Sequence, residues 1–235
     1  AAWWRATIDT AVEKRRPLID SSGDRETTGY RVINGENDAM PGFIADRYES
    51  VMVVKLYSQA WFPHLVDIVP ALIASCTDAG VPVETIVFRL ARSVQRGETH
   101  GIVDGLVLDA ATLEPSTLTE PVIFKENGLR FEAHPISGQK TGYFLDQRDN
   151  RRRVGEMAAG ARVLDVFACT GGFSVYAAAG GAKSVKAIDL APDAMAAARR
   201  NMTLNPQTAD TSIETVVLDA FEAMAAMGDR GERYD

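Results

Sequence analysis

Cysteine is scarce in this chain. Two thiols in 235 residues, Cys76 and Cys169, exclude a disulfide framework and fit a reducing compartment, here the cytoplasm. Histidine is nearly as scarce. His64, His100 and His134 have no cysteine, histidine or carboxylate at ligand spacing, so no metal is expected. Basic charge is also short. A formal net charge of −7 argues against generic nucleic-acid binding, and any RNA contact has to come from a local patch. No uninterrupted apolar run is long enough to span a bilayer, because Asp165 and the glycines break the longest candidate; no membrane partner is expected. The opening Ala1-Ala2-Trp3-Trp4-Arg5 lacks a signal-peptide pattern. Residues 28–135 also lack repeats and low-complexity tracts. What remains is the composition of an ordinary globular protein, 46% hydrophobic and 24% charged, with length for one or two domains.

The most informative stretch is 163–175, VLDVFACTGGFSV. A short apolar run meets a turn with paired glycines, and then an apolar helical pattern begins. Such a strand–loop–helix junction offers backbone N–H groups and a positive dipole end to a ligand. Gly171 and Gly172 allow the main chain to be approached closely. Asp165 is a carboxylate in an apolar run, and is expected to brace the loop or touch a ligand.

Before it, residues 3–19 read as a packing helix that Pro17 ends or kinks. From Thr28 the pattern changes to short strands at 30–33, 43–46 and 51–56, the last two a hairpin. A helix over 64–79 carries Leu65, Ile68, Val69, Leu72, Ile73 and Cys76 on one face, with Pro70 predicting a kink or break. Cys76 there reads as a buried structural thiol. Strands follow at 85–90, 107–108 and 122–124, and Asn127-Gly128 predicts a tight turn before a strand at 129–133. Arg89, Arg92 and Arg96 could meet RNA phosphates or be plain surface charges. Residues 139–153 hold five Lys/Arg against two Asp, which is either an RNA patch or a solvated helix face. Asp146 is a plausible N-cap for a helix reaching about Ala159.

From Ala161 the rhythm is regular. Strands at 163–167, 184–188 and 213–218 alternate with helices at 173–179, 192–204 and 220–227, which predicts a parallel sheet covered by helices. Asp165, Asp189 and Asp219 fall at or near the ends of three successive strands, about one βα unit apart, where such sheets bind ligands. Asp189, after the second strand, is placed to accept both ribose hydroxyls of a nucleoside. The spaced glycines of a dinucleotide site are absent, and Ala168-Cys169-Thr170-Gly171-Gly172 stands in their place. That loop favours a sulfonium methyl donor over a pyrophosphate.

D-x-F-x-x-T-G-G-F, together with Gln139-Lys140-Thr141-Gly142-Tyr143-Phe144-Leu145-Asp146-Gln147-Arg148, resembles the class I S-adenosylmethionine methyltransferases related to the bacterial 23S rRNA (cytosine-5-)-methyltransferases. GENDAMPGFIADRY resembles the start of that family's middle domain. The resemblance implies an α/β chain: the N-terminal half of a Rossmann-like class I methyltransferase domain preceded by a small α+β domain. The expected divisions are 1–27 (helix and linker), 28–135 (α+β domain) and 136–235 (S-adenosylmethionine-binding domain, incomplete at its C-terminus). Cofactor-binding residues are then Phe144, Asp146, Arg148, Asp165, Phe167, Thr170, Gly171, Gly172, Asp189, Leu190, Asp219 and Ala220. Within this set the resemblance gives Asp219 the adenine amine, and Asp165, Thr170 and Gly171 the methionine end. It also implies an rRNA substrate.

Two pieces of the family pattern are missing. Nothing matches its small RNA-binding domain, and the motifs expected after Asp235, with the catalytic cysteines, are absent. Neither Cys76 nor Cys169 matches a catalytic position, so no catalytic residue is assigned. A sheet cut there is expected to associate through its edge, as a homodimer or with another chain. Alternative readings are an rRNA guanine-N methyltransferase, and a non-catalytic cofactor- or RNA-binding fragment.

Overall fold

The computed structural model describes residues 2–235. The chain divides into two compact units, residues 1–128 with 132–145, and residues 129–131 with 146–235. The expected divisions at 27/28 and 135/136 are not where the chain parts. The N-terminal helix shares the first unit's core through Ile8, Ala11 and Val12, and the segment up to Leu145 stays with that unit.

The first unit is built on a five-stranded sheet in the order β1 (Gly29–Asn34), β2 (Phe43–Tyr48), β3 (Val51–Leu56), β4 (Thr85–Leu90) and β5 (Val107–Asp109). Only β3 and β4 run parallel. A crossover is needed to join parallel strands, and α3 (Leu65–Asp78) supplies it. The helix expected over 3–19 is two: α1 (Ala2–Glu13) and the short α2 (Arg16–Ile19). Pro17 sits in the first turn of α2, where its missing N–H costs nothing, so it opens a helix and does not kink one. Pro70 does not break α3, which runs through it from Leu65 to Asp78. It lies on the exposed side, and the carbonyl it leaves without a donor belongs to exposed Val66, within reach of water. With the 3-10 turn before it, Gln59–Asp78 is long and apolar enough to cross a membrane by length and composition, which the sequence reading did not anticipate. Its apolar face, Leu65, Ile68, Val69, Leu72 and Cys76, packs into the core with Met52, Val54 and Leu56 of β3.

Alternation along β3 turns Lys55 to the opposite sheet face, and Arg89 of β4 is its register partner. That face is crossed by the Gln139–Phe144 string. Thr141 donates its hydroxyl to Asp46 at 2.6 Å, and Tyr48 shares a 3.1 Å hydrogen bond with Thr141. Lys55 donates to the Lys140 carbonyl at 3.2 Å, and Arg89 to those of Pro135 and Gly138 at 2.8 and 3.2 Å. Asp46 is fully buried and held by both arms of Arg31 at 2.8 and 3.0 Å. Two of the three strings that carry the family resemblance, GENDAMPGFIADRY and Gln139–Arg148, are therefore bonded to each other across 95 residues.

A hairpin, β6 (Val122–Glu126) and β7 (Leu129–Ala133), lies where the chain passes from one unit to the other, turning at Asn127-Gly128. The second unit begins with α4 (Arg148–Met157). It then alternates β8 (Arg162–Val166), α5 (Gly172–Ala179), β9 (Ser184–Asp189), α6 (Pro192–Thr203), β10 (Ser212–Val217) and α7 (Ala220–Asp229). The sheet is parallel, in the order β10-β9-β8. Every strand and helix predicted from Ala161 onward is present within one to two residues. Asp146 is not the cap of α4. Residues 145–147 form a 3-10 turn first, which puts Gln147 at the cap position without a side-chain bond.

Candidate S-adenosylmethionine site

The parallel register sets Asp165 beside Ala187 and Asp189 beside Val217. The three strands thus finish together, and the loops after them are brought to one end of the sheet.

The loop after β8 is forced into an unusual path. Phe167, Cys169 and Gly171 all have positive φ, at 59°, 50° and 73°. Such conformations cost of order 1 kcal/mol or more at a residue with a side chain, and persist only where neighbours impose them. Here they do. Ala168 donates its N–H to the Ile188 carbonyl at 3.0 Å, and Cys169 donates its own to Asp189 Oδ2 at 2.9 Å. The Thr170 carbonyl accepts from Asn201 Nδ2 at 2.9 Å. A Cβ on Gly171 would stand 2.7 Å from the Ala198 Cβ, so only glycine lets the loop lie this close to α6.

Asp165 is buried, and its Oδ2 accepts from the Ser174 amide at 3.0 Å and the Ser174 hydroxyl at 2.6 Å. It caps the first turn of α5 from the neighbouring strand. Burial pushes its pKa up, Ser174 pulls it back, and the nearby Asp189 carboxylate pushes it up again. Asp189 is partly exposed. Besides Cys169 it accepts from the Ala191 N–H, on Oδ1, at 3.0 Å. Asp219 caps α7, its Oδ1 accepting from Phe221 and Glu222 at 2.9 and 3.2 Å. Ala220 is the buried first residue of that helix, as Gly172 is of α5.

Apolar side chains stand exposed among these acids. Phe167 is 64% exposed, Leu190 69% and Phe221 69%. The rings of Phe167 and Phe221 meet edge to face at 5.9 Å between centroids. Within 165–172, 189–192 and 217–222 there is no Lys, Arg or His. The donor set is therefore acidic and aromatic. It suits a cationic nucleoside whose hydroxyls and amine donate hydrogen bonds, and is ill suited to a phosphate.

Nine of the expected site residues, Asp165, Phe167, Thr170, Gly171, Gly172, Asp189, Leu190, Asp219 and Ala220, are on or beside these strand ends. Three are not. Phe144 belongs to the first unit, and the Lys140 ammonium lies 4.1 Å from its ring centroid. Asp146 is exposed at the start of the second unit, and Arg148 pairs with Asp149 at 3.2 Å. The 139–153 segment, open in the sequence as an RNA patch or a solvated helix face, does not turn all five of its cations to solvent. Arg151 is buried, and Arg152 is held by Glu156 at 2.7 Å. Sequence reasoning missed Ser174, Ala198 and Asn201, which fix the loop. Asn201 is fully buried on the α6 face that carries Ala197 and Ala198, and an amide on an otherwise apolar helix face was the available signal. It also missed Phe221, an aromatic directly after Asp219-Ala220.

A family model described as S-adenosylmethionine-dependent methyltransferase matches residues 111–228, just over half the chain. The ribosomal RNA large subunit methyltransferase of Deinococcus radiodurans is 44% identical over 238 residues, covering all of this chain and 55% of that protein. The ribosomal RNA large subunit methyltransferase I of Aeromonas salmonicida is 34% identical over 225 residues, covering 96% of this chain and 53% of its own length. The chain thus spans about half the length of the curated relatives it matches. Among solved structures, a Streptococcus mutans protein described as a SAM-dependent methyltransferase superposes with a TM-score of 0.77 at 24% identity, over all of this chain and 56% of that one. It is similar in fold.

Proposed function

The chain belongs to the S-adenosylmethionine-dependent methyltransferase family, and from that premise we propose that it carries the donor-binding part of an rRNA methyltransferase acting on cytosine carbon 5 of large-subunit rRNA. The observation that carries this reading is the set of strand-end loops holding Asp165, Asp189 and Asp219, with exposed Phe167, Leu190 and Phe221 and no basic side chain. S-adenosylmethionine supplies a methyl group on a sulfonium, a cation that attracts carboxylates and needs no anion cradle. Asp189 accepts the ribose hydroxyls through its remaining lone pairs. Asp219 accepts the adenine amine through Oδ2, while Phe167, Leu190, Phe221 and Ala220 form the apolar wall against the base. Asp165, Thr170, Gly171 and Gly172 hold the methionine end. Asp146 and Arg148 are candidates for the rim.

Transfer to carbon 5 of cytosine calls for a nucleophile at carbon 6, since the ring carbon is otherwise too poor a nucleophile to take the methyl group. Cys76 is unsuited, because burial pushes its thiol up to about 12. Cys169 is part of the strained donor loop, its amide committed to Asp189. The proposal therefore assigns these residues donor binding and leaves acceptor activation to neither cysteine. Neither Cys76 nor Cys169 is in a disulfide, which fits the reducing cytoplasm where rRNA is modified.

Calorimetric titration of S-adenosylmethionine tests the reading. The expected result is micromolar binding, weakened about tenfold or more, at least ~1.4 kcal/mol, by Asp189→Asn. That variant loses the charge and keeps one of the two oxygens that accept from Cys169 and Ala191, so its thermal denaturation is measured alongside to show that the loop is still folded. Absence of binding by a folded chain sinks the donor site.

A further inference from the structure

Arg89, Arg92 and Arg96 share one short run, and the fold parts them. Arg89 is committed inside the first unit, to Asp104 at 3.2 Å and to the carbonyls of Pro135 and Gly138. Arg92 and Arg96 are both exposed, and among the described residues neither has an acid partner. They stand on a helical turn that follows β4. The Val94 and Gln95 amides donate to the Ala91 carbonyl at 2.8 and 3.1 Å, and the Gly97 amide donates to the Val94 carbonyl at 3.2 Å. Four residues apart on such a turn, the two guanidiniums share one face. Val94, between them in sequence, is 1% exposed and anchors the turn in the core. The turn is also fixed by its neighbours. Ala91 donates its N–H to the Leu56 carbonyl at 2.9 Å, and the Gln95 side chain donates to the Leu90 carbonyl at 2.8 Å. Gln59 Nε2 donates to the Val94 carbonyl at 3.4 Å, and a Cβ on Gly97 would run into the same Gln59 amide. The supporting segment 57–62 carries no Asp or Glu. Glu98, the acid that follows the turn, lies 3.8 Å from His100 Nδ1.

We propose that Arg92 and Arg96 together form a contact point for the RNA backbone, an inference that rests on the RNA-methyltransferase reading. Like charges one helical turn apart repel each other, and no acid among the described residues is paired with either. Phosphates laid along the turn relieve that repulsion. Each guanidinium presents a flat fork of donors that matches a phosphate group. In a chain of net charge −7, RNA has to be met by cations that no carboxylate already occupies. The backbone of the turn is built before RNA arrives, so only two side chains are left to order on binding. Phosphate contacts position a strand without reading its sequence. Arg92 and Arg96 therefore hold RNA on the first unit and leave the choice of base to other residues.

A labelled single-stranded RNA oligonucleotide of mixed sequence is titrated into the chain by fluorescence anisotropy between about 50 and 200 mM salt. Arg92→Gln and Arg96→Gln are each expected to make log affinity against log salt less steep by about 0.7, and the double variant by about 1.4. Arg92→Lys keeps the charge and is expected to keep the wild-type slope. Lys183→Gln controls for net charge, since Lys183 is an exposed cation of the second unit with no acid partner among the described residues. Its slope is expected to match the wild type. Wild-type slopes in the Arg92→Gln and Arg96→Gln variants, an equal loss in Lys183→Gln, or no RNA binding by the wild-type chain overturns the contact. Donor titration on the same preparations keeps the two readings apart. Arginine variants that lose slope and retain S-adenosylmethionine establish the contact. A wild-type chain that binds RNA in this pattern but takes no donor keeps the contact and fails the donor site.

Discussion

At Asp38, burial and pairing pull in opposite directions. Burial raises its pKa, but Arg15 at 2.9 and 2.5 Å, the Asn34 amide at 2.8 Å and Lys14 at 2.9 Å hold it down, to about 2 from an ordinary 3.8. A lowered carboxylate pKa stabilises the fold above the unfolded value, and that contribution disappears as pH falls from about 4 through 2. Asp38→Asn is therefore expected to cost about 1–2 kcal/mol near neutral pH. The gap to wild type in urea denaturation should close as pH approaches 2. A gap that persists there would mean that Asp38 acts through packing and not through its charge. The sequence displayed Asp38 as one member of a turn. Its charged role depends on Arg15, which the fold brings to it from α2's flank.

Elements here are limited by how closely they approach. The donor loop rests on α6 at Gly171, and α4 crosses α5 where a Cβ on Gly180 would stand 2.0 Å from the Gly155 carbonyl oxygen. Gly171→Ala meets both a positive φ and the rigid Ala198 methyl. It is expected to destabilise the second unit by about 1–3 kcal/mol. It should weaken S-adenosylmethionine binding as well, as thermal denaturation and calorimetry would show. Unchanged stability would mean that α6 gives way and that the loop is not wedged. The glycine pair was legible in the sequence as a sharp turn. Its reason was not, because Ala198 is a full βα unit further along the chain.

At the scale of the molecule, the donor ligands that we propose, Asp165, Asp189 and Asp219, all lie in the second unit. A ligand that binds only the folded site stabilises by mass action, about 2.7 kcal/mol at a hundredfold excess over Kd. S-adenosylmethionine at that excess is therefore expected to slow amide hydrogen exchange at the ends of β8, β9 and β10, and to leave β1–β5 unchanged. Equal protection of both sheets would show that the units respond to the donor as one.

The sequence by itself determined the parallel half. Period, glycine stops, Pro192 and the acids after the strands are local signals, and local signals fix where strands and helices begin and end. It also determined the chemical character of the donor site, since the three loops carry acids and aromatics and no base. Tertiary structure alone decided which charges are available. Arg151 goes inside, Arg89 becomes a strut for the 135–138 turn, and Asp46 turns from one more acid in a strand into the anchor of Thr141. These outcomes depend on pairing between segments as much as 95 residues apart. A buried carboxylate or guanidinium is tolerable only where such a partner is folded against it, and no local pattern in the chain encodes that.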